Sequence, residues 1–119
     1  MPGNIPADLK GHKYVSLTTF RKNGVGVATP VWFAEGSGVI YVMTRSDSVK
    51  IKRIRNNPEV RVAPCTIRGK IKGPEFAGSA RILREEEWGP ARAGIRAKYW
   101  ITRISALWSR KNIYLEIML

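Results

Sequence analysis

The sequence predicts a mainly β protein, a small antiparallel barrel of about six strands with a few helices. Three observations predict it. Short runs of β-branched and aromatic residues recur between Gly, Asn and Pro turn signals. Most of these runs alternate with a period of two, and only two stretches switch to a helical period. At 119 residues the chain suits one domain, spanning 1–119 with a leader at 1–12 and a helical excursion at 90–110 before the last strand.

Each element has its own signal. Tyr14, Val15, Leu17, Thr18 and Thr19 open a strand over 14–19, and Asn23-Gly24 turns it into a second strand over 25–35. Val25 and Val27 alternate there with small residues until Pro30, which marks an edge or a place where another group meets the backbone. Gly36-Ser37-Gly38 turns into a strand over 39–44, where Val39, Tyr41 and Met43 alternate with Ile40, Val42 and Thr44. Ser46 and Asp47 are candidate N-caps for a short helix over 48–56, with Ile51 and Ile54 on one face and Asn57-Pro58 as the stop. Strands follow at 59–66 and 75–83, punctuated by Gly69 and Gly73-Pro74.

Glu85, Glu86 and Glu87 precede a helix expected to start near Pro90, since acids suit a helix N-terminus. Ala91, Ile95 and Tyr99 form its apolar stripe, and Ile101, Ile104 and Trp108 continue the helical period. The chain closes on a strand in which Ile113, Leu115, Ile117 and Leu119 alternate with Tyr114, Glu116 and Met118.

Lys and Arg number 21 against 9 Asp and Glu, a formal charge of +12. Residues 45–72 hold nine basic residues against two acids, and residues 81–111 hold eight against three. The first cluster is centred on the short helix, with Arg45 before it and Lys50, Lys52, Arg53 and Arg55 within it. A helix N-terminus offers unpaired N–H groups and a partial positive charge, so Ser46, Ser48 and Lys50 make a candidate phosphate cradle there. Lys52, Arg53 and Arg55 read equally as ligands or as a solvated face.

The stretch YVMTRSDSVKIKRIRNNPEV resembles the pyridoxamine phosphate oxidase-like split β-barrels, which bind flavins or deazaflavins. The shared order is Thr44, Ser48, Lys50, then Asn57-Pro58 opening the next strand. ATPVWF at 28–33 and VAPCTIRGKIKGP at 62–74 are similar to the deazaflavin-dependent branch. The resemblance implies a homodimer with two cofactor sites at its interface, and an oxidoreductase passing hydride to a small organic substrate. It places the cofactor phosphate at Thr44, Ser48 and Lys50, and the ring against the backbone of Thr29, Pro30, Val31 and Trp32. Trp32 itself reads equally as a ring contact or as core. Arg53, Arg68 and Lys70, with Lys52, Arg55 and Lys72, suit the anionic tail of the deazaflavin coenzyme F420; FMN is the alternative cofactor. Val49 stands where pyridoxamine phosphate oxidases usually carry Arg, and the C-terminal NIYLEIML lacks their Trp and Arg elements. Oxidation of pyridoxamine phosphate is therefore not expected.

The cofactor would carry the chemistry, so no catalytic acid or base and no metal ligand are assigned. Cys65, the lone cysteine, reads as a packed small residue, and His12, the lone histidine, as an exposed bystander. The N-terminus has no signal-peptide core, and the chain has no membrane-spanning run, so a cytoplasmic protein is expected. Three alternatives stay open: a non-catalytic FMN- or haem-binding relative, a nucleic-acid-binding barrel, and weak peripheral membrane contact through the basic aromatic segment 91–111. Against nucleic acid, residues 46–72 contain no Trp, Tyr or Phe for stacking bases. The segment 91–111 reads more readily as packed on the barrel or covering the cofactor mouth.

Overall fold

The computed structural model describes residues 5–99 and 112–119. After a 3-10 turn at Ala7–Leu9 come β1 (Tyr14–Phe20), β2 (Gly26–Glu35), β3 (Ile40–Arg45), α1 (Val49–Asn56), β4 (Glu59–Cys65), β5 (Phe76–Ile82), a 3-10 turn at Glu85–Glu87, α2 (Trp88–Lys98) and β6 (Asn112–Met118). The strands close into an antiparallel barrel in the order β1-β2-β3-β6-β5-β4. The continuation expected at Ile101, Ile104 and Trp108 lies outside the described residues.

Period-two patterning decides what fills the barrel. Val15 and Leu17 of β1, Val31 and Phe33 of β2, Ile40 and Val42 of β3, Val60 and Val62 of β4, Ala80 of β5, and Leu115 and Ile117 of β6 form one buried cluster. Ile51 and Ile54 bring α1 into that same cluster, so the helix plugs the pole where β3 ends and β4 begins. Leu9 plugs from the leader. The alternate residues face outward, where Ala91 and Ile95 of α2 and Tyr99 just past its end pack over Trp32, Ala34, Tyr41, Met43 and Tyr114. The described part of the segment 91–111 is thus packed on the barrel.

Three local expectations shift. Pro30 does not interrupt β2, which continues through it opposite Ser16. A proline is tolerated where one strand edge needs no donor. Ser48, rather than Ser46 or Asp47, is the N-cap of α1, because Asp47 is engaged by the Arg45 guanidinium at 3.1 and 3.0 Å. The second helix begins at Trp88 instead of Pro90, fed by the 3-10 turn in which Glu87 accepts the Arg84 backbone N–H at 3.1 Å. The Asn23-Gly24 turn forms as its chemistry dictates: Gly24 takes φ +86°, and Asn23 Oδ1 accepts the Val25 N–H at 3.0 Å.

Candidate functional site at the β2–β3 gap

The barrel is closed weakly at one seam. β2 and β3 pair only at Glu35↔Ile40, Ala34↔Tyr41 and Phe33↔Val42. Beyond Phe33 their ladder stops, although β2 runs on to Gly26 and β3 to Arg45. β2 keeps its other edge on β1 as far as Gly26, and β3 keeps its other edge on β6 as far as Arg45. Two facing strand edges with unmatched backbone groups therefore flank a gap at the α1 pole. Unpaired ladder groups need partners, and a planar ligand with polar edges is one kind of partner that supplies them.

Side chains give the gap its character. Val31 is buried in the barrel, so β2 offers its backbone there and not that side chain. Thr29 Oγ1 is buried without a hydrogen-bond partner among the described residues. Pro30 is exposed and carries no N–H. Trp32 points outward and stacks on Tyr99, with centroids 4.8 Å apart and planes at 9°. One face of its indole is thus taken by Tyr99, just past the end of α2, an arrangement between the two readings of Trp32 from sequence. The signal that could have revealed Tyr99 was the end of the Ala91, Ile95, Tyr99 stripe, but nothing local names its partner.

The base of the gap is polar and cationic. Thr44 Oγ1 and Ser48 Oγ lie 3.5 Å apart, and the Ser48 hydroxyl makes no capping bond to α1. Lys50, on the first turn of α1, is half-buried and has no acidic partner among the described residues. Burial pushes its ammonium pKa down, and the nearby Arg53 charge adds to this. Arg53 reaches the barrel mouth, where Nη1 donates to Thr19 Oγ1 at 3.4 Å and Thr19 is fully buried. Thr19 escaped the sequence reading, being one threonine in a strand rich in them. A partly desolvated cation beside a second cation, with a weakly paired couple of hydroxyls at a helix start, has the donor set that a phosphate matches.

Thr44, Ser48, Lys50 and Arg53 thus meet at one pole, with Thr29 to Trp32 along the gap. Arg68 and Lys70 do not join them within the chain. They follow the far end of β4, a strand about 20 Å long at 3.3 Å per residue. Lys52 and Arg55 are exposed. Cys65 is buried, which raises its thiol pKa, and His12 is half-buried in the leader. An open depression of about 400 Å³ bordered by Ile5, Lys10, Glu35, Gly36 and Gly38 lies at the pole opposite α1. Among the described residues no helix is long and apolar enough to cross a membrane.

Similarity to known proteins agrees with this architecture. The sequence profile described as pyridoxamine 5'-phosphate oxidase matches residues 1–111. No curated protein matches the chain. Among solved structures, the haem storage protein HutZ of Vibrio cholerae superposes with a TM-score of 0.74 at 14% identity, covering 92% of this chain and 82% of its own. A candidate pyridoxamine 5'-phosphate oxidase of Listeria innocua gives 0.65 at 20% identity, covering 94% and 87%. A haem-binding protein of Mycobacterium smegmatis gives 0.69 at 14% identity, covering 92% and 48%. At these identities the structures share the fold alone. The profile spans nearly all of a chain that closes as a six-stranded barrel around this gap, and the chain belongs to the pyridoxamine 5'-phosphate oxidase family.

Proposed function

We propose that this chain is an oxidoreductase that binds an anionic flavin-type cofactor, the deazaflavin F420 or else FMN, in the β2–β3 gap. The observation that carries the reading is Lys50: half-buried, beside Arg53, without an acidic partner among the described residues, and two positions from Ser48, whose hydroxyl is bonded only to that of Thr44 and makes no capping bond. These groups would hold the phosphate. The backbone of Thr29 to Trp32 would face the ring, with the Thr29 hydroxyl supplying a polar contact. When bound, such a cofactor supplies hydride chemistry. The protein's own part is to bind and orient it, to shield its face from water with the barrel mouth, and to leave room for a small organic substrate. The chain would act as a homodimer, since the open seam needs a cover that the described residues do not provide.

F420 is favoured over FMN because the α1 pole carries more positive charge than one phosphate requires: Lys52 and Arg55 stand exposed beside Lys50 and Arg53. The test is titration of the purified protein with F420, FMN and haem, followed by absorbance or fluorescence. Micromolar binding of a flavin-type cofactor that weakens about 10- to 100-fold in Lys50→Ala supports the reading. Haem binding that is indifferent to Lys50, or steep salt-dependent binding of single-stranded DNA with no cofactor bound, overturns it.

A further inference from the structure

The free edge of β2 has a donor pattern that follows from the ladders on either side of it. Residues of an antiparallel strand turn their backbone groups alternately to one neighbour and to the other. The Gly36 N–H donates to the Val39 carbonyl at 2.8 Å, so Gly36, and with it Ala34, Trp32, Pro30 and Ala28, turns to the β3 side. Two sets of bonds on the opposite side agree. The Val25 carbonyl accepts the Arg21 N–H at 2.9 Å, and the Phe33 N–H and carbonyl both meet the Tyr99 hydroxyl, which also reaches the carbonyl of Lys13 ahead of β1. The ladder with β3 ends at Phe33↔Val42, so the next residues of β2 turned toward the gap are Trp32, Pro30 and Ala28. Pro30 has no N–H to turn. Between the Ala28 N–H and the Trp32 N–H, about 13 Å at 3.3 Å per residue, the edge carries carbonyls only.

We infer that Pro30 is a specificity-determining residue: it leaves the gap edge without a donor for the central-ring nitrogen of a flavin, and so favours a deazaflavin, which carries C–H at that position. This rests on the cofactor reading above and sharpens it from the backbone of the chain. On the central ring the two cofactor classes differ at that one position, an unsubstituted nitrogen with a lone pair in FMN and a C–H in a deazaflavin. A lone pair brought against a carbonyl-only edge gives up its water and gains no partner. A C–H in the same place has no hydrogen bond to water to lose and approaches a carbonyl favourably, if weakly. The exposed cations of α1 play no part in this choice, because both compounds can carry the same phosphate.

The test compares FMN with deazariboflavin phosphate, which differs from FMN only at that ring position, by fluorescence titration of the full chain and of Pro30→Ala. Wild type should bind the deaza compound about fivefold more tightly than FMN. Pro30→Ala restores an N–H on the edge and should bring the two affinities together, chiefly by tightening FMN. Amide hydrogen exchange of the variant gives a second readout: the new N–H at position 30 should exchange more slowly with FMN bound than with the deaza compound bound. Equal affinity for the two compounds in wild type overturns the inference. So does an unchanged ratio in Pro30→Ala, which would leave the proline as a block on strand pairing alone. Binding of neither compound by wild type overturns the cofactor reading and this inference with it, which tells the two failures apart.

Discussion

The indole of Trp32 lies flat on the phenol ring of Tyr99, which sits just past the end of α2 and ties that helix to the strand beside the gap. The same phenol accepts the Phe33 N–H at 3.1 Å and shares its proton between the carbonyls of Phe33, at 2.6 Å, and Lys13. Burial raises its pKa far above the usual value, so it stays a neutral donor throughout the working range. Three backbone groups, one just before β1 and two near the end of β2, thus depend on one hydroxyl that follows a helix. Tyr99→Phe keeps the stack and removes the hydroxyl, so it should cost about 1–3 kcal/mol in urea unfolding. Tyr99→Ala should cost more, because the stack goes too. A Tyr99→Phe protein as stable as wild type would remove the hydroxyl from this role.

Lys50 should behave as a ligand residue and not as a structural one. Its charge is desolvated and sits beside Arg53, so its pKa in the folded chain lies below that in the unfolded chain. The cost of keeping it charged is present in full below the folded value and disappears as pH rises past the unfolded one. Lys50→Met should therefore raise Tm at neutral pH while weakening phosphate-bearing cofactors about 10- to 100-fold. The gain in Tm should shrink toward pH 10. Scanning calorimetry across pH, paired with cofactor titration, checks both halves, and a lowered Tm at neutral pH contradicts the assignment.

Thr29 makes a parallel case on uncharged ground. Its hydroxyl is buried without a partner among the described residues, and valine has nearly the same shape. Thr29→Val should stabilise the cofactor-free protein by about 1 kcal/mol in denaturant unfolding and weaken flavin-type binding. Unchanged affinity would take the hydroxyl out of the site.

At the other face, Glu87 is expected to contribute to acid stability. Its carboxylate accepts Arg81 Nη1 at 2.7 Å and the Arg84 backbone N–H at 3.1 Å, which holds its pKa down at about 2 against an ordinary 4.5. The stability it contributes is complete above pH 4.5 and is lost as pH falls through about 2. Thermal unfolding from pH 5 to pH 2 should show a steeper loss in wild type than in Glu87→Gln. Parallel curves would assign the acid transition to other carboxylates.

The strands were legible because each carries its own instructions. Ile40 and Val42 face the barrel while Tyr41 and Met43 face α2, as strict alternation requires. Asn23-Gly24 specifies its turn through a side-chain bond two residues away and a φ only glycine adopts readily. Ile51 and Ile54 show the buried face of α1, and the Ala91, Ile95, Tyr99 stripe that of α2. The N-cap of α1 was less legible, because Ser46, Asp47 and Ser48 are all good caps and the choice turned on Asp47 finding Arg45. The cationic cradle was visible as charge density around a helix start, whereas its buried neighbour Thr19 carries no signal of its own.

By itself the sequence determined the strands, the two helices, the faces they bury and the concentration of positive charge around residue 50, all of which depend on neighbours a few positions apart. Tertiary structure alone decided where the barrel closes, that β2 and β3 share only three pairs, and that Trp32 meets Tyr99 across 66 intervening positions. It also separated Arg68 and Lys70 from Lys50, by placing them at opposite ends of β4. The physical reason is range. Periodicity and turn chemistry act between residues close in the chain, while ladder closure and ring stacking are set by which surfaces remain to be buried once all the elements pack together.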